Sequence, residues 1–369
     1  MKSVTVTYHR SYNYGATLQA YALQKTILSL GIDNRILDFT RPWPQNSIIF
    51  SKGVRRFLVS FVLYFFGMLR EKEIEKLYRS FDVFTKNNLL LTLKFDSIEA
   101  LNNNLPDADF YITGSDQVFT LRDKSFWVKL HMLDFGDDKI KRYSYAASLA
   151  EYNYNESEKQ QFSAYLNNFN GISLRENKAV KYLGSFVKKN LLQHIDPVFL
   201  LSKKQWYKLA IKPEVKSKYI LYFQVNSNSL AQKVVDYLKK KYNLPVVCIQ
   251  TNPVIRIMAD KTIISAGPQE FLGWVMDAEM VVTTSFHGLA FSLIFEKEFY
   301  LLTKESSNPI RMQELLSLLH LENRLIREKE DIDKVTLIDF KQIKYIIDEQ
   351  RNKSINYLES IIKENKHDM

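Results

Sequence analysis

The feature that most narrows the possible folds is a strand-like segment that passes through a glycine-bearing turn into a helix and then into another strand. Residues 3–9 alternate small polar and β-branched types, Ser11–Ala16 contains Gly15, and Thr17–Leu30 carries apolar residues at helical spacing. Gly31 stops that helix and Asn34–Asp38 restarts a strand. Parallel strands need a crossover of this kind, so the pattern predicts a βαβ unit on a parallel sheet. The same pattern is expected where Asp109–Thr113 runs into Gly114–Phe119, and at Tyr143–Ala147 ahead of a helix over 155–168. It begins again beyond Asp196-Pro197-Val198, with strands at Tyr219–Val225, Pro245–Gln250 and Glu279–Thr284 and helices at 229–242, Pro268–Ala278 and Phe286–Phe295. Phe299–Leu302 and helices over 310–319 and 340–364 follow. At about 150 residues per domain, 369 residues make roughly two large domains. The expected division is α/β throughout. Residues 1–198 form one doubly wound domain with a helical insertion at about 50–105, residues 199–340 form a second, and 341–369 form a terminal helix.

Composition limits the partners. Hydrophobic residues at 46%, with only 11 Gly and 9 Pro, exclude disordered and collagen-like classes. The net charge of +10 (51 basic against 41 acidic residues) favours anionic partners. Acidic residues interleave with the basic ones along the chain, which argues against nucleic acid. The single cysteine, Cys248, sits in an apolar run and reads as a buried small hydrophobe, so neither a disulfide nor a Cys-based metal site is expected. The first residues alternate like a strand and have no signal-peptide core, so the chain is expected in the cytoplasm. Phe57–Leu69 is an almost wholly apolar run flanked by Arg55, Arg56 and Arg70, too short for the roughly 20 residues of a membrane-spanning helix. It reads either as a buried helix or protein-contact surface, or as an interfacial helix that docks residues 55–70 on an anionic leaflet.

In α/β sheets ligands gather where strands end and helices begin. Three stretches have that form: Asn13-Tyr14-Gly15-Ala16, Gly114-Ser115-Asp116-Gln117 and Thr284-Ser285-Phe286-His287-Gly288. In the third, Ser285 would cap a helix whose free N–H groups and positive end suit phosphate, and His287 in the first turn titrates near neutral pH. The plain structural alternative has Ser285 only as a cap and His287 as a satisfied core histidine. Arg175, between a strand end and the helix from Asn177, is either a bidentate clamp for carboxylate or phosphate or the ion-pair partner of Glu176 or another carboxylate. Asp116 is either a base for a hydroxyl or a turn residue.

These residues, taken in order, resemble the polysaccharide pyruvyl transferase family: Asn13–Tyr21, Asp109–Gln117, Ser144–Ser148, Ser173–Glu176, Asp196-Pro197, Gly267-Pro268 and Ser285–Phe291. The resemblance runs from the first strand to about residue 325. It implies two Rossmann-like domains facing a cleft, as in GT-B glycosyltransferases, with a C-terminal helix crossing back to the first domain. It also implies transfer of pyruvate from phosphoenolpyruvate to a sugar hydroxyl pair, on a surface-polysaccharide or lipid-linked oligosaccharide precursor, with no metal and no cofactor beyond that co-substrate. Under it, His287, Asp116 and Arg175 would be catalytic. Ser285, Gly288, Gly267, Pro268 and Arg311 would hold the donor, and Asn13, Tyr14, Gly15, Gln19 and Gln117 the acceptor. Better-studied members carry arginine directly before the histidine, where this chain has Phe286, so Arg175, Arg311 or Lys304 would have to compensate or the donor would differ. A GT-B glycosyltransferase using a sugar nucleotide and a non-catalytic scaffold of a polysaccharide assembly complex are the competing readings.

Overall fold

The computed structural model describes residues 1–39, 71–121, 126–149, 152–215, 217–225, 228–250, 257–303 and 310–366. Contacts divide them into two compact units, the first drawn from 1–39, 85–201 and 344–366, the second from 71–84 and 202–343. The division after Leu201 lies three residues beyond the expected one.

The first unit holds β1 (Lys2–Val6), β2 (Asp33–Phe39), β3 (Leu91–Phe95), β4 (Phe110–Thr113), β5 (Asp116–Phe119), β6 (Lys141–Ser144), β7 (Ala147–Leu149), β8 (Ile172–Leu174) and β9 (Leu191–Gln193). One parallel sheet runs β3-β2-β1-β4-β6 and a second, also parallel, runs β5-β7-β8-β9. Both faces of the first sheet are covered. Phe110 and Ile112 point to Leu23 and Ile27 of the helix Tyr14–Ser29, whereas Tyr111 between them joins Val4 and Val6 on the opposite face. Side-chain alternation therefore serves two cores, which is why these strands read as continuous apolar runs.

Three expectations need correction. The chain after β4 does not start a helix, because Gly114-Ser115 passes it straight into β5 of the second sheet. A Cβ at Gly114 would lie 2.9 Å from Thr7 Cβ, and Asp116 adopts a left-handed φ of +78°, which redirects the strand. Tyr143–Ala147 is likewise two strands, β6 and β7, broken at Tyr145-Ala146, with Ala146 at φ +46°. The region expected as a helical insertion at about 50–105 is also not wholly helical, nor wholly part of the first unit. Helices Glu71–Asn88 and Ile98–Asn103 flank β3, an edge strand paired with β2, and residues 71–84 belong with the second unit. Residues 40–70, with the apolar run 57–69, lie outside the described residues.

The C-terminal helix Phe340–Lys366 returns to the first unit from Lys344 onward. Tyr357 donates to the Ser144 carbonyl (3.0 Å), Asn365 donates to the Tyr143 hydroxyl (3.1 Å), and the Tyr357 ring stacks on His194 (4.6 Å).

The second unit is one parallel sheet, β10 (Ile220–Gln224), β11 (Val246–Gln250), β12 (Lys261–Ile263), β13 (Met280–Thr283), β14 (Glu298–Leu302) and β15 (Leu325–Ile326), in the order β12-β11-β10-β13-β14-β15. β10, β11 and β13 are buried along their whole length. Cys248 on β11 is buried with them, and burial pushes its thiol up to about 12, which makes it packing rather than a nucleophile. In each unit the strand order reverses at one place, between β1 and β4 and between β10 and β13. That is where a doubly wound sheet opens a ligand crevice beyond the strands' carboxyl ends.

Candidate functional site

In the second unit the crevice is bound together by threonines. Thr283 Oγ1 donates to the Phe223 carbonyl (3.0 Å) and accepts from Ser285 N (3.1 Å), while Thr284 Oγ1 accepts from Val225 N (3.1 Å). Ser285 then caps the helix Phe286–Ile294, its Oγ accepting from Gly288 N at 3.4 Å. The first turn holds no acidic residue, so the positive helix end is not offset by its own side chains. His287 lies in that turn, 7% exposed, edge-on to Phe286 at 5.2 Å. Arg311 is half-buried in the first turn of the helix Ile310–Leu318, which follows β14, the strand beside β13. Lys304 lies outside the described residues.

Three donor-side expectations change. A Cβ on Gly288 would lie 2.2 Å from Thr283 Oγ1 and 3.0 Å from Phe223 Cδ1, so this glycine lets the helix seat on the sheet rather than letting a ligand approach. Gly267 caps the helix Pro268–Asp277, but a Cβ there would lie 2.7 Å from both Ser80 Oγ and Glu270 Oε2. The space over this helix start is filled, and Glu270 already supplies negative charge to the positive helix end that Gly267 and Pro268 would have offered to an anion.

In the first unit Asn13 caps the helix Tyr14–Ser29, accepting from Ala16 N at 3.2 Å, and stays exposed. Tyr14, Gly15 and Gln19 are buried, which removes them from the acceptor wall. Gln19 Nε2 instead donates to Thr7 Oγ1 (2.9 Å) and the Ala16 carbonyl (3.0 Å), and Thr7 Oγ1 donates to the Ser115 carbonyl (3.0 Å). This chain of bonds joins the loops after β1 and β4 as the threonines do in the other unit. Past it come half-buried Asp116 and exposed Gln117.

Arg175 stands at the carboxyl end of β8, 6% exposed. Its Nη1 donates to Asp196 Oδ2 (2.6 Å) and its Nε to Glu176 Oε1 (3.0 Å), while Ser148 Oγ donates to the same Glu176 oxygen (2.7 Å). Burial works against the guanidinium's charge, yet Glu176, Asp196 and Asp116 outweigh it and raise its pKa above the ordinary arginine value. The clamp reading is thus replaced by a buried ion pair, because carboxylates of the chain already occupy the fork a ligand would use.

Sequence reasoning missed a group at the carboxyl ends of β1 and β2. Arg10 grips Asp38 with Nε (2.5 Å) and Nη2 (2.7 Å), His9 Nδ1 lies 3.0 Å from the Thr7 carbonyl, and His9 Nε2 lies 3.4 Å from Asp38. Burial alone would raise the Asp38 carboxyl, but the bonds from Arg10 and His9 hold it well below the usual carboxylate range. Tyr8 and Trp127 both pack on His131, at 4.5 and 5.6 Å, and make an aromatic surface beside the trio. The signal was present in the sequence, since ending the first strand at Val6 instead of residue 9 puts His9 and Arg10 on the carboxyl edge. Among the described residues, no group of three or more His, Cys, Asp or Glu side chains is arranged to hold a metal ion.

Comparison with known proteins follows the same lines. A family model described as polysaccharide pyruvyl transferase matches residues 13–306. No curated protein matches the chain in sequence. Among solved structures, the chain is similar to S. aureus MnaA in a co-structure with UDP (12% identity, TM-score 0.52, 98% of this chain and 96% of that one). It is also similar to the Methanocaldococcus jannaschii UDP-GlcNAc 2-epimerase in complex with UDP-GlcNAc and UDP (14%, 0.51, 98% and 99%), and to the glycotransferase of kitacinnamycin (10%, 0.50, 98% and 98%). At such identities the likeness is one of fold, and that fold is GT-B.

Proposed function

We propose, because this chain belongs to the polysaccharide pyruvyl transferase family, that it moves the pyruvyl group of phosphoenolpyruvate onto two hydroxyls of a sugar in a surface-polysaccharide precursor, forming a cyclic ketal and releasing phosphate. The observation that carries this reading is the Ser285-capped, acid-free start of the helix Phe286–Ile294 with His287 in its first turn. Backbone N–H groups after Ser285 take the donor's phosphate, and Arg311 is the remaining described side chain of the expected set suited to its carboxylate. His287 gives a proton to C3 of the donor, which leaves C2 electron-poor. The first sugar hydroxyl attacks C2 and Asp116 takes its proton. The C2–O bond to phosphate breaks with its electron pair on phosphate, and the second hydroxyl closes the ring on C2. Of the two hydroxyl protons, one replaces the proton given to C3 and the other leaves with phosphate. Phosphoenolpyruvate is a co-substrate, and these steps call for no resident metal or cofactor.

The acceptor belongs with Asn13, Asp116 and Gln117, whose side chains suit hydroxyl groups. A lipid-linked oligosaccharide at the cytoplasmic face of a membrane fits the +10 charge and the Arg-flanked run at 55–70. Among the described residues, no helix is long and apolar enough to cross a membrane. The test is mass spectrometry of lipid-linked oligosaccharides incubated with the protein and phosphoenolpyruvate, paired with thermal shifts. A product heavier by one pyruvate less water, and a melting shift with phosphoenolpyruvate but not with sugar nucleotides, supports the reading. A glycosylated product formed from a sugar nucleotide overturns it in favour of a glycosyltransferase.

A further inference from the structure

The Arg175 cluster is elaborate for a residue that meets no ligand. A guanidinium 6% exposed is held by two carboxylates that are themselves 1% exposed, and Glu176 Oε2 has no hydrogen-bond partner among the described residues. Replacing such a group with apolar residues of similar volume is often neutral or stabilising, so an ion cluster of this kind is weak evidence for a role in stability. What lies next to it suggests another use. In the second sheet Asp116 pairs with Ala147, Ala147 pairs with Leu174, and Arg175 N donates to the Ala147 carbonyl at 3.0 Å. Asp116 and the base of Arg175 therefore flank a single intervening strand. Two strand spacings, about 10 Å between backbones, are within reach of an arginine side chain. Asp116 holds a left-handed φ of +78°, a conformation that costs a non-glycine residue energy and persists only where its surroundings impose it.

We propose that Arg175 is a positioning residue for Asp116: fixed by Asp196 and Glu176, it orients the carboxylate that receives the acceptor proton, and it does not touch the donor. This rests on the ketal-forming reading above. The two anchors hold the guanidinium in one place. The raised pKa of Arg175, to which Asp116 contributes, agrees with that proximity.

Steady-state kinetics of the full chain with phosphoenolpyruvate and acceptor tests the inference. Arg175→Lys should lower kcat by about 10-fold or more, as expected for a bidentate site where lysine is no equivalent, with the donor KM within about twofold of wild type. Asp116→Asn should lose about 10²–10⁴-fold, and the double variant should be no slower than Asp116→Asn alone. Guanidinium ions should restore part of the rate of Arg175→Gly but none of that of Asp116→Asn. A donor KM that rises while kcat holds would make Arg175 a donor ligand, and losses that multiply in the double variant would make the two residues independent. Either result overturns the proposal, as does wild-type turnover in Arg175→Lys. Should Arg175→Lys fail to fold, Asp196→Asn loosens the same guanidinium and must give the same split. If the wild-type protein itself makes no ketal from phosphoenolpyruvate, it is the reaction that is wrong, a result separate from any change in the variants.

Discussion

The carboxyl edges of the strands in the two units are built alike and charged differently. Each reverses strand order at one point, and at each a threonine hydroxyl ties neighbouring chain segments together at the strand ends: Thr7 to the Ser115 carbonyl in the first unit, Thr283 to the Phe223 carbonyl in the second. At the second edge a nine-residue helix starts under a serine cap with no acid in its first turn, and His287 is the titratable side chain there. The first edge is crowded with paired charge, Arg10 with Asp38 and Arg175 with Asp196 and Glu176, leaving Asp116 half-buried in a strained turn. The second edge suits an anion, and the first suits neutral hydroxyl donors that seek carboxylates. On the proposed reading, a common scaffold carries two binding chemistries through the residues placed just beyond its strand ends.

The contrast can be broken most sharply at His287. His287→Ala should cut turnover by about 10²–10⁴-fold with the melting temperature nearly unchanged. Wild-type turnover in that variant would remove the acid from the donor edge and with it the division of labour.

A second test uses pH. His194, 3% exposed and stacked on Tyr357, has its pKa lowered to about 4 by burial and then by Lys353. An unfolded chain titrates this residue near 6.5, so between pH 6.5 and 4 the unfolded state holds more protons. Stability present above pH 6.5 is therefore lost as pH falls toward 4, by roughly 3 kcal/mol from this group. Because His194, Tyr357 and Lys353 all belong to the first unit, amide exchange at pH 5 should rise there and around the C-terminal helix before it rises in the second unit. His194→Gln should flatten that difference, and equal sensitivity of both units would refute it.

Gly288→Ala should destabilise by about 1–3 kcal/mol through overpacking against Thr283, with donor KM little changed among molecules that remain folded. A normal melting temperature with a raised donor KM would restore the glycine to the ligand's path. The smallest effect is expected at Asn13. Asn13→Ala should cost about 1 kcal/mol of helix capping and raise the acceptor KM more than the donor KM, while Asn13→Asp keeps the cap. A larger change in the donor constant would move Asn13 to the donor edge.

Much of this was already determined by the order of residues. Alternating apolar strands, glycine stops and helical spacing are local signals, and they located β1, β2, β10, β11 and β13, the helices between them and the capped start at Ser285, because backbone sterics and capping act over a few residues. The family resemblance was legible for the same reason, since motifs such as Asn13–Tyr21, Ser173–Glu176 and Ser285–Phe291 lie where a strand or loop enters a helix. Other features depended on contacts between residues far apart in the chain. Whether Gly114 leads to a helix or a second sheet is decided by Thr7, more than a hundred residues earlier, and whether Gly267 opens or closes a helix start is decided by Ser80. Arg175 looks equally suited to a ligand or to a carboxylate until Asp196, 21 residues on, is brought to 2.6 Å. Gln19 and Tyr14 share a motif with exposed Asn13, yet packing buries them and leaves Asn13 in solvent. Local propensity carries no information about which long-range partner fills a given space, and that competition for space is settled only when the chain is folded.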